Sequence, residues 1–144
     1  FIREMAKCFL SEHDCPSLYR YSFDTVSGEA STDTLIAQSI PLQPMIFRAM
    51  RRAWSEGTGL IVEGVNVIPG LTEISDVPAV RYFLHVESED AHFKMINGET
   101  HKHRAVSLEQ FYRVRAMQED FIVRANDNGW KILDVSEGDF EAFN

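Results

Sequence analysis

Apolar residues recur at three- and four-residue intervals in three stretches of the chain, and this spacing predicts helices. The clearest is 108–128, where Phe111, Phe121 and Ala125 share one face and Gly129 supplies a stop. The first helix, 1–10, has no capping residue before it and reads as a helix already in progress. The second is predicted from Thr32 or Asp33 to Gly57, with an interruption near Pro41 and Pro44.

Short continuous apolar runs, which are typical of buried strands, fall at residues 60–62, 79–86 and 130–135. The first run is bounded by glycines, and we expect it to be a central strand of a parallel sheet. Alternation of helices and strands is typical of an α/β fold. Three short strands make a small sheet for this much helix. An absent N-terminal strand–helix unit would explain both the small sheet and the uncapped first helix.

Residues 57–70, with the sequence GTGLIVEGVNVIPG, place Glu63 in a glycine-bounded turn directly after the first apolar run. Ligands of open α/β sheets bind at the carboxyl ends of the strands, so this position directs Glu63 toward a site. A carboxylate there could hold Mg²⁺ through water or accept the proton of an acceptor hydroxyl. The alternative is that Glu63 only caps the following segment or pairs with an arginine.

Composition narrows the class of protein. The chain has 144 residues, 44% of them hydrophobic, so we expect one core and a single domain over 1–144. A net charge of −8 argues against nucleic acid and anionic membranes as partners. Cys8 and Cys15 match neither a redox pair nor a metal-ligand pattern. No run approaches the roughly 18 apolar residues of a membrane span, and we expect no signal peptide. The cytoplasm is the expected location.

A basic segment that includes Lys102 and Arg104 precedes the last helix, and Arg113 and Arg115 lie in the first turns of that helix. A basic run of this kind is usually a solvated loop. Arg115 shares the apolar stripe of the helix, so we expect it to point inward. A buried arginine needs a partner, and phosphate is one candidate.

Four patches occur in a characteristic order: IRE at the start, GTGLIVEGVNVIPG, the basic segment around 94–104, and FYRVRAMQEDFIVRA followed by ILD. The most specific parts are the E-G-V-x-x-x-P-G turn at 63–70 and the F-x-x-x-R-x-x-Q pattern around Arg115. This order resembles 2-phosphoglycerate kinase, a family of P-loop kinases, over nearly the whole chain. The resemblance implies a three-layer parallel sheet flanked by helices, with a lid at about 91–108 that closes over phosphate.

The chain departs from this family in two places. Members begin with a strand and a Walker A loop, G-x-x-x-x-G-K-[ST], whose backbone amides cradle ATP phosphates. No such motif occurs in these 144 residues. The resemblance therefore implies that an N-terminal βα unit is missing and that the chain as shown is inactive without it. Asn66 stands where the family has His. This difference leaves open whether 2-phosphoglycerate itself is the substrate.

The resemblance implies an ATP-dependent kinase that uses Mg²⁺ and transfers the γ-phosphoryl group to a hydroxyl of a small anionic acceptor. The implied catalytic residues are Glu63, which would also hold the metal through water, Lys102, Arg104 and Arg115. The residues implied at the nucleotide are Arg104, Arg113 and Arg115. Those implied at the acceptor are Arg3, Tyr21, Ser22, Gln38 and Asn66. Surface or capping roles are the alternative for Arg3, Tyr21, Ser22 and Gln38.

A second hypothesis is a non-catalytic domain that keeps the kinase scaffold for ligand sensing or partner binding. A Walker A segment upstream of Phe1 would favour the enzyme, and its absence from the gene would favour the second hypothesis. The sequence leaves the acceptor, the nucleotide preference and the oligomeric state open.

Overall fold

The chain forms two compact units, Phe1–Ala79 (unit 1) and Val80–Asn144 (unit 2), each with its own buried residues. The computed structural model describes residues 2–20, 31–98 and 106–136. Within these ranges, no helix is both long enough and apolar enough to cross a membrane.

The described part of unit 1 is helical. Its helices are α1 (Ile2–Ala6), α2 (Thr32–Ser39) and α3 (Gln43–Ser55), with 3-10 turns at Pro16–Tyr19 and Ile40–Leu42. The predicted interruption near the prolines is confirmed, because the 3-10 turn separates α2 from α3. The predicted cap was wrong by one or two positions: Ser31 is the N-cap, and its hydroxyl and the Thr34 side chain form a capping box.

The core of unit 1 brings α1, the first 3-10 turn and the start of α3 together. Ala6, Leu18, Leu42 and Ile46 are buried and form one cluster. Partly buried apolar side chains pack around them, among them Val62. The first helix, predicted over ten residues, ends as α-helix at Ala6 and continues in turns.

The strand predicted at 60–62 is absent from the structure, and this prediction was wrong. Leu60 and Ile61 are 48% and 90% exposed, and only Val62 packs on the core. A strand exists only when a second strand pairs with its backbone N–H and C=O groups. The described residues of unit 1 contain no such second strand. The apolar run is therefore present in the sequence without the pairing that would make it β-structure.

Unit 2 contains a small parallel sheet and two helices. Strands β1 (Tyr82–His85) and β2 (Lys131–Asp134) pair in parallel, with Tyr82 opposite Lys131. The helices are α4 (Glu89–Ile96) and α5 (Leu108–Asp127). The mixed helix–strand pattern is compatible with the expected α/β class, although two strands are present within the described residues where three were predicted. The three-layer P-loop sheet stays a prediction.

Helix α5 covers one face of this sheet, as its apolar stripe predicted. Its buried residues are Phe111, Met117, Phe121 and Ala125, and the Phe121 ring lies 6.4 Å from that of Phe83 on β1. The helix begins at a capping box formed by Ser107 and Gln110. It ends before Gly129, whose φ of +69° suits glycine. Both predicted ends of this helix are confirmed within a residue or two.

Candidate functional site

Three residues predicted at the acceptor lie in one hydrogen-bonded network in unit 1, centred on Gln38. The Gln38 side chain is 2% exposed. Its Nε2 donates to the carbonyls of Ser17 (2.9 Å) and Arg20 (2.8 Å), while its Oε1 accepts from Arg3 Nη1 (3.3 Å) and Asn66 Nδ2 (3.4 Å). Carbonyls only accept and a guanidinium only donates, so the orientation of the Gln38 amide is determined by its partners.

Arg3 supplies the formal positive charge of this network. Its Nη1 donates to Gln38 Oε1 and to the carbonyl of Arg20 (3.4 Å), and its side chain remains 23% exposed. A carboxylate oxygen of Glu4 lies 3.7 Å from Arg3 Nε and 2.8 Å from Lys7 Nζ. Helix α1 therefore holds a guanidinium between two neutral acceptors, Gln38 Oε1 and the Arg20 carbonyl, and the carboxylate of Glu4, in a position that solvent still reaches. Such a cation can meet an anionic ligand.

Asn66 joins the network from the turn that follows Glu63. Its Nδ2 donates to Ser39 Oγ (2.8 Å) as well as to Gln38 Oε1. Its backbone carbonyl accepts from Gln43 Nε2 (3.2 Å). Sequence reasoning missed Ser39 and Gln43. Both residues are buried. A sequence signal for them exists: Gln38, Ser39 and Gln43 are polar residues that stand among apolar ones where two helices meet.

Glu63 lies in the same turn and is exposed. Gly64 has a φ of +126°, a conformation that favours glycine, and the carbonyl of Gly64 accepts from Val67 N at 3.0 Å. The turn is anchored on its far side by buried Ile68, whose N–H donates to Thr72 Oγ1 at 2.9 Å. Among the described residues, the Glu63 carboxylate makes no hydrogen bond or ion pair. Within residues 2–20, 31–98 and 106–136, Glu63 therefore has neither the capping contact nor the arginine partner of its structural alternative.

In unit 2, Arg115 binds the backbone at the end of β1. Its Nη1 and Nη2 donate to the carbonyls of Val86 (2.5 Å) and Glu87 (3.2 Å), and the side chain is 18% exposed. Gln118, one turn later, accepts from Val86 N (3.0 Å) and donates to Val86 O (3.1 Å). The prediction that Arg115 points inward is confirmed, and its partners are these two carbonyls, His92 and, at 3.9 Å, the carboxylate of Glu119. Its contact with phosphate stays a prediction.

His92 on α4 lies beside this arginine. Its Nδ1 is 3.4 Å from Arg115 Nη1, and its ring packs edge-on against Phe111. Burial, and then the positive charge of Arg115, lower the pKa of His92 below its ordinary value of 6.5. Because a guanidinium only donates, a hydrogen bond across this contact needs the lone pair of the ring on Nδ1.

Asp134 closes the carboxyl end of β2. Its Oδ1 accepts from Ser136 Oγ (2.6 Å), Glu87 N (3.0 Å) and Ser136 N (3.0 Å). These donors, the Ser136 hydroxyl first, lower the pKa of Asp134 to about 2. The carboxylate therefore links the ends of both strands.

This pKa predicts how the stability of unit 2 depends on pH. Since the folded pKa lies below the ordinary value of 3.8, the charged form stabilises the fold above about pH 4, and this contribution is lost as the pH falls through about 2. Asp134→Asn should lower the urea midpoint at neutral pH, and its difference from wild type should disappear near pH 2. Asp127→Asn, at the exposed end of α5, is the control. A constant difference at every pH would contradict this assignment.

The remaining predicted site residues are distributed as follows. Arg113 is on α5 and pairs with Glu109 one turn earlier, with 2.8 Å between Nη2 and Oε1. Tyr21, Ser22, Lys102 and Arg104 lie outside the described residues, and so do residues 99–105 of the predicted lid. Their roles stay predictions. Within the described ranges, no three His, Cys, Asp or Glu side chains cluster in a way that could hold a metal ion.

Comparison with known proteins gives one partial similarity. The chain is 36% identical over 101 residues to a curated protein named 2-phosphoglycerate kinase from Methanopyrus kandleri. The match covers 63% of this chain and 31% of that protein, so this chain spans about a third of the relative's length. No protein-family model and no solved structure matches the chain. The resemblance seen in the motifs agrees with this similarity.

Proposed function

We propose that this chain is the acceptor-binding portion of a small-molecule kinase, which transfers a phosphoryl group to a hydroxyl of a small anionic acceptor. The observation that carries the proposal is the network joining Arg3, Gln38 and Asn66, three residues distant in sequence. The kinase class is supported by the similarity to the Methanopyrus protein. The acceptor class is supported by the partly exposed guanidinium of Arg3 at the network, a group type that binds carboxylates and phosphates.

Within this proposal the three side chains have different tasks. Arg3 binds the carboxylate or phosphate of the acceptor, because a guanidinium matches such groups with parallel donors. Gln38 is buried with both ends of its amide occupied, so it positions Arg3 and Asn66 and does not contact the acceptor. Asn66 is half-buried and belongs to the same network, and its side-chain amide is of a type that can bind a neutral polar group of the acceptor.

Glu63 is the proposed base. It is an exposed carboxylate on the turn that also carries Asn66, so one backbone segment links the acceptor network to a group able to accept the hydroxyl proton. Such a base activates the acceptor oxygen, while cations offset the charge of the transferring group. This role needs no rearrangement of other side chains, since Glu63 has no competing partner among the described residues.

The residues fit the two implied cofactors unequally. Mg²⁺ commonly keeps several waters and takes one or two carboxylates, so Glu63 alone is compatible with an ion held through water. P-loop kinases hold nucleotide phosphates with a loop of backbone amides and a lysine, and the sequence contains no such Walker A motif. ATP use is supported by the kinase name of the similar Methanopyrus protein, and the proposal for this chain is confined to the acceptor.

A binding experiment tests this function. Titration calorimetry of the protein with 2-phosphoglycerate should give a dissociation constant between about 1 μM and 1 mM, the usual range for enzyme substrates. Arg3→Met should weaken binding about 10- to 100-fold, since a hydrogen bond to a charged group is typically worth about 1.5 to 3 kcal/mol.

Arg51→Met is the matched control. Arg51 is also in unit 1, but it is 56% exposed and pairs with Asp76 on the surface at 2.8 Å. Its replacement should leave the affinity within about twofold. Equal losses in both variants would mean that general charge attracts the ligand. No binding of 2-phosphoglycerate or of other small phosphorylated or carboxylic acids would favour the non-catalytic scaffold.

A further inference from the structure

Gln43, the first residue of α3, links the acceptor network to the backbone of the turn that carries Asn66. Its side chain is 5% exposed. Nε2 donates to the carbonyls of Ser39 (3.1 Å) and Asn66 (3.2 Å). Because both partners can only accept, the nitrogen of the amide must face them. The end of α2 and the turn are therefore held to the same side chain.

The other end of this amide is unusual. Gln43 Oε1 is buried and has no hydrogen-bond partner among the described residues. A buried acceptor without a donor destabilises the folded state, whereas an apolar side chain of the same length would avoid that cost. Methionine or leucine at this position would remove that cost but would also take the donor from the Ser39 and Asn66 carbonyls, so the two effects on stability oppose each other. The two donor bonds of Nε2 are what glutamine provides and an apolar residue cannot.

We propose that Gln43 is a positioning residue for the acceptor site. By holding the Asn66 carbonyl against the end of α2, it places the Asn66 side chain on Gln38 and Ser39 and fixes the turn on which Glu63 lies. Gln43 acts through Asn66 and does not contact the acceptor. The expected effect of Gln43 on acceptor binding rests on the proposed function. Its expected effect on the position of Asn66 rests on geometry alone.

The test is Gln43→Met in the complete protein. The replacement keeps length and packing while removing both donor bonds. Three quantities are measured: the urea midpoint, the ¹⁵N–¹H signals of the Asn66 and Gln38 side-chain amides, and the dissociation constant for 2-phosphoglycerate. We expect a midpoint close to wild type, displaced amide signals, and an affinity reduced about tenfold or more.

Ile46→Val is the matched control, because Ile46 is 2% exposed on the same helix and belongs to the core. It perturbs α3 without removing a bond to Asn66. It should lower the midpoint slightly while leaving the Asn66 amide signals and the affinity unchanged.

The outcomes distinguish failure of the positioning role of Gln43 from failure of the proposed function. Unmoved Asn66 signals in Gln43→Met would overturn the positioning role, and this result does not depend on any ligand. Displaced signals with unchanged affinity would overturn its importance for the acceptor. If the wild-type protein does not bind 2-phosphoglycerate, the proposed function fails while the signals still decide the geometry. Should Gln43→Met not fold, addition of 2-phosphoglycerate to wild-type protein should shift the Gln43 side-chain amide together with that of Asn66. An unmoved Gln43 signal would count against the proposal.

Discussion

Glu63→Gln, made in a protein that includes a Walker A segment, is expected to reduce the rate of phosphoryl transfer by about 10² to 10⁴, the range for loss of a general base. The substitution keeps the size of the side chain and removes its charge and its ability to take a proton. Glu63 is exposed and makes no hydrogen bond or ion pair with the described residues, so the fold should be little affected. The measurements are turnover with MgATP and 2-phosphoglycerate, and the thermal midpoint.

Glu56→Gln is the control for this experiment. Glu56 also follows a helix in unit 1 and is exposed, but it pairs with Arg52 on the surface at 2.9 Å. Its replacement should leave turnover near wild type. If Glu63→Gln also kept full turnover, Glu63 would have no part in the chemistry and the turn would serve only to hold Asn66.

Arg115→Met is expected to destabilise unit 2 by about 1.5 to 3 kcal/mol, the usual value of hydrogen bonds from a charged donor. The methionine fills similar space but cannot donate to the carbonyls of Val86 and Glu87. Gln118 still donates to Val86, which limits the loss. Burial is the first cause of the lowered pKa of His92 and the charge of Arg115 is the second. Because the substitution removes only the second cause, that pKa should rise part of the way toward its ordinary value.

Trp130 provides a local probe for this experiment. It is 7% exposed at the start of β2, whereas Trp54 in unit 1 is 58% exposed. Urea unfolding followed by Trp130 fluorescence in a Trp54→Phe background would therefore follow unit 2. Arg113→Met, which breaks a surface ion pair on the same helix, should cost less than about 0.5 kcal/mol. Equal and small effects of the two substitutions would contradict the structural role of Arg115 and favour a role confined to phosphate.

The last helix shows what local sequence can predict. The spacing of its apolar residues predicted which face of the helix is buried, and Gly129 predicted where the helix ends. These features depend on residues within a few positions of one another, since helical hydrogen bonds and caps are local. The same applies to the break at the prolines between α2 and α3. The error of one or two positions at the α2 cap arose because Ser31, Thr32 and Asp33 are all residue types that can cap.

The F-x-x-x-R-x-x-Q pattern shows a second limit. The sequence placed Arg115 on the inner face of a helix, which is correct. It could not distinguish a phosphate from the end of a strand as the partner, because both present oxygen acceptors to a guanidinium. Val86 and Glu87 lie far from Arg115 along the chain, and only the packing of α5 on β1 brings their carbonyls to it.

The sequence by itself determined helices α2, α3 and α5, the parallel character of the short sheet, and the candidates Arg3, Gln38 and Asn66. Tertiary structure alone decided that these three side chains meet, that Gln38 is buried among them, and that Gln43 holds the turn. It also decided that residues 60–62 form no strand within the described part of the chain. The physical reason is the range of the interactions. Spacing and caps report hydrogen bonds between near neighbours, whereas strand pairing and buried amide networks depend on distant backbone groups that no local pattern specifies.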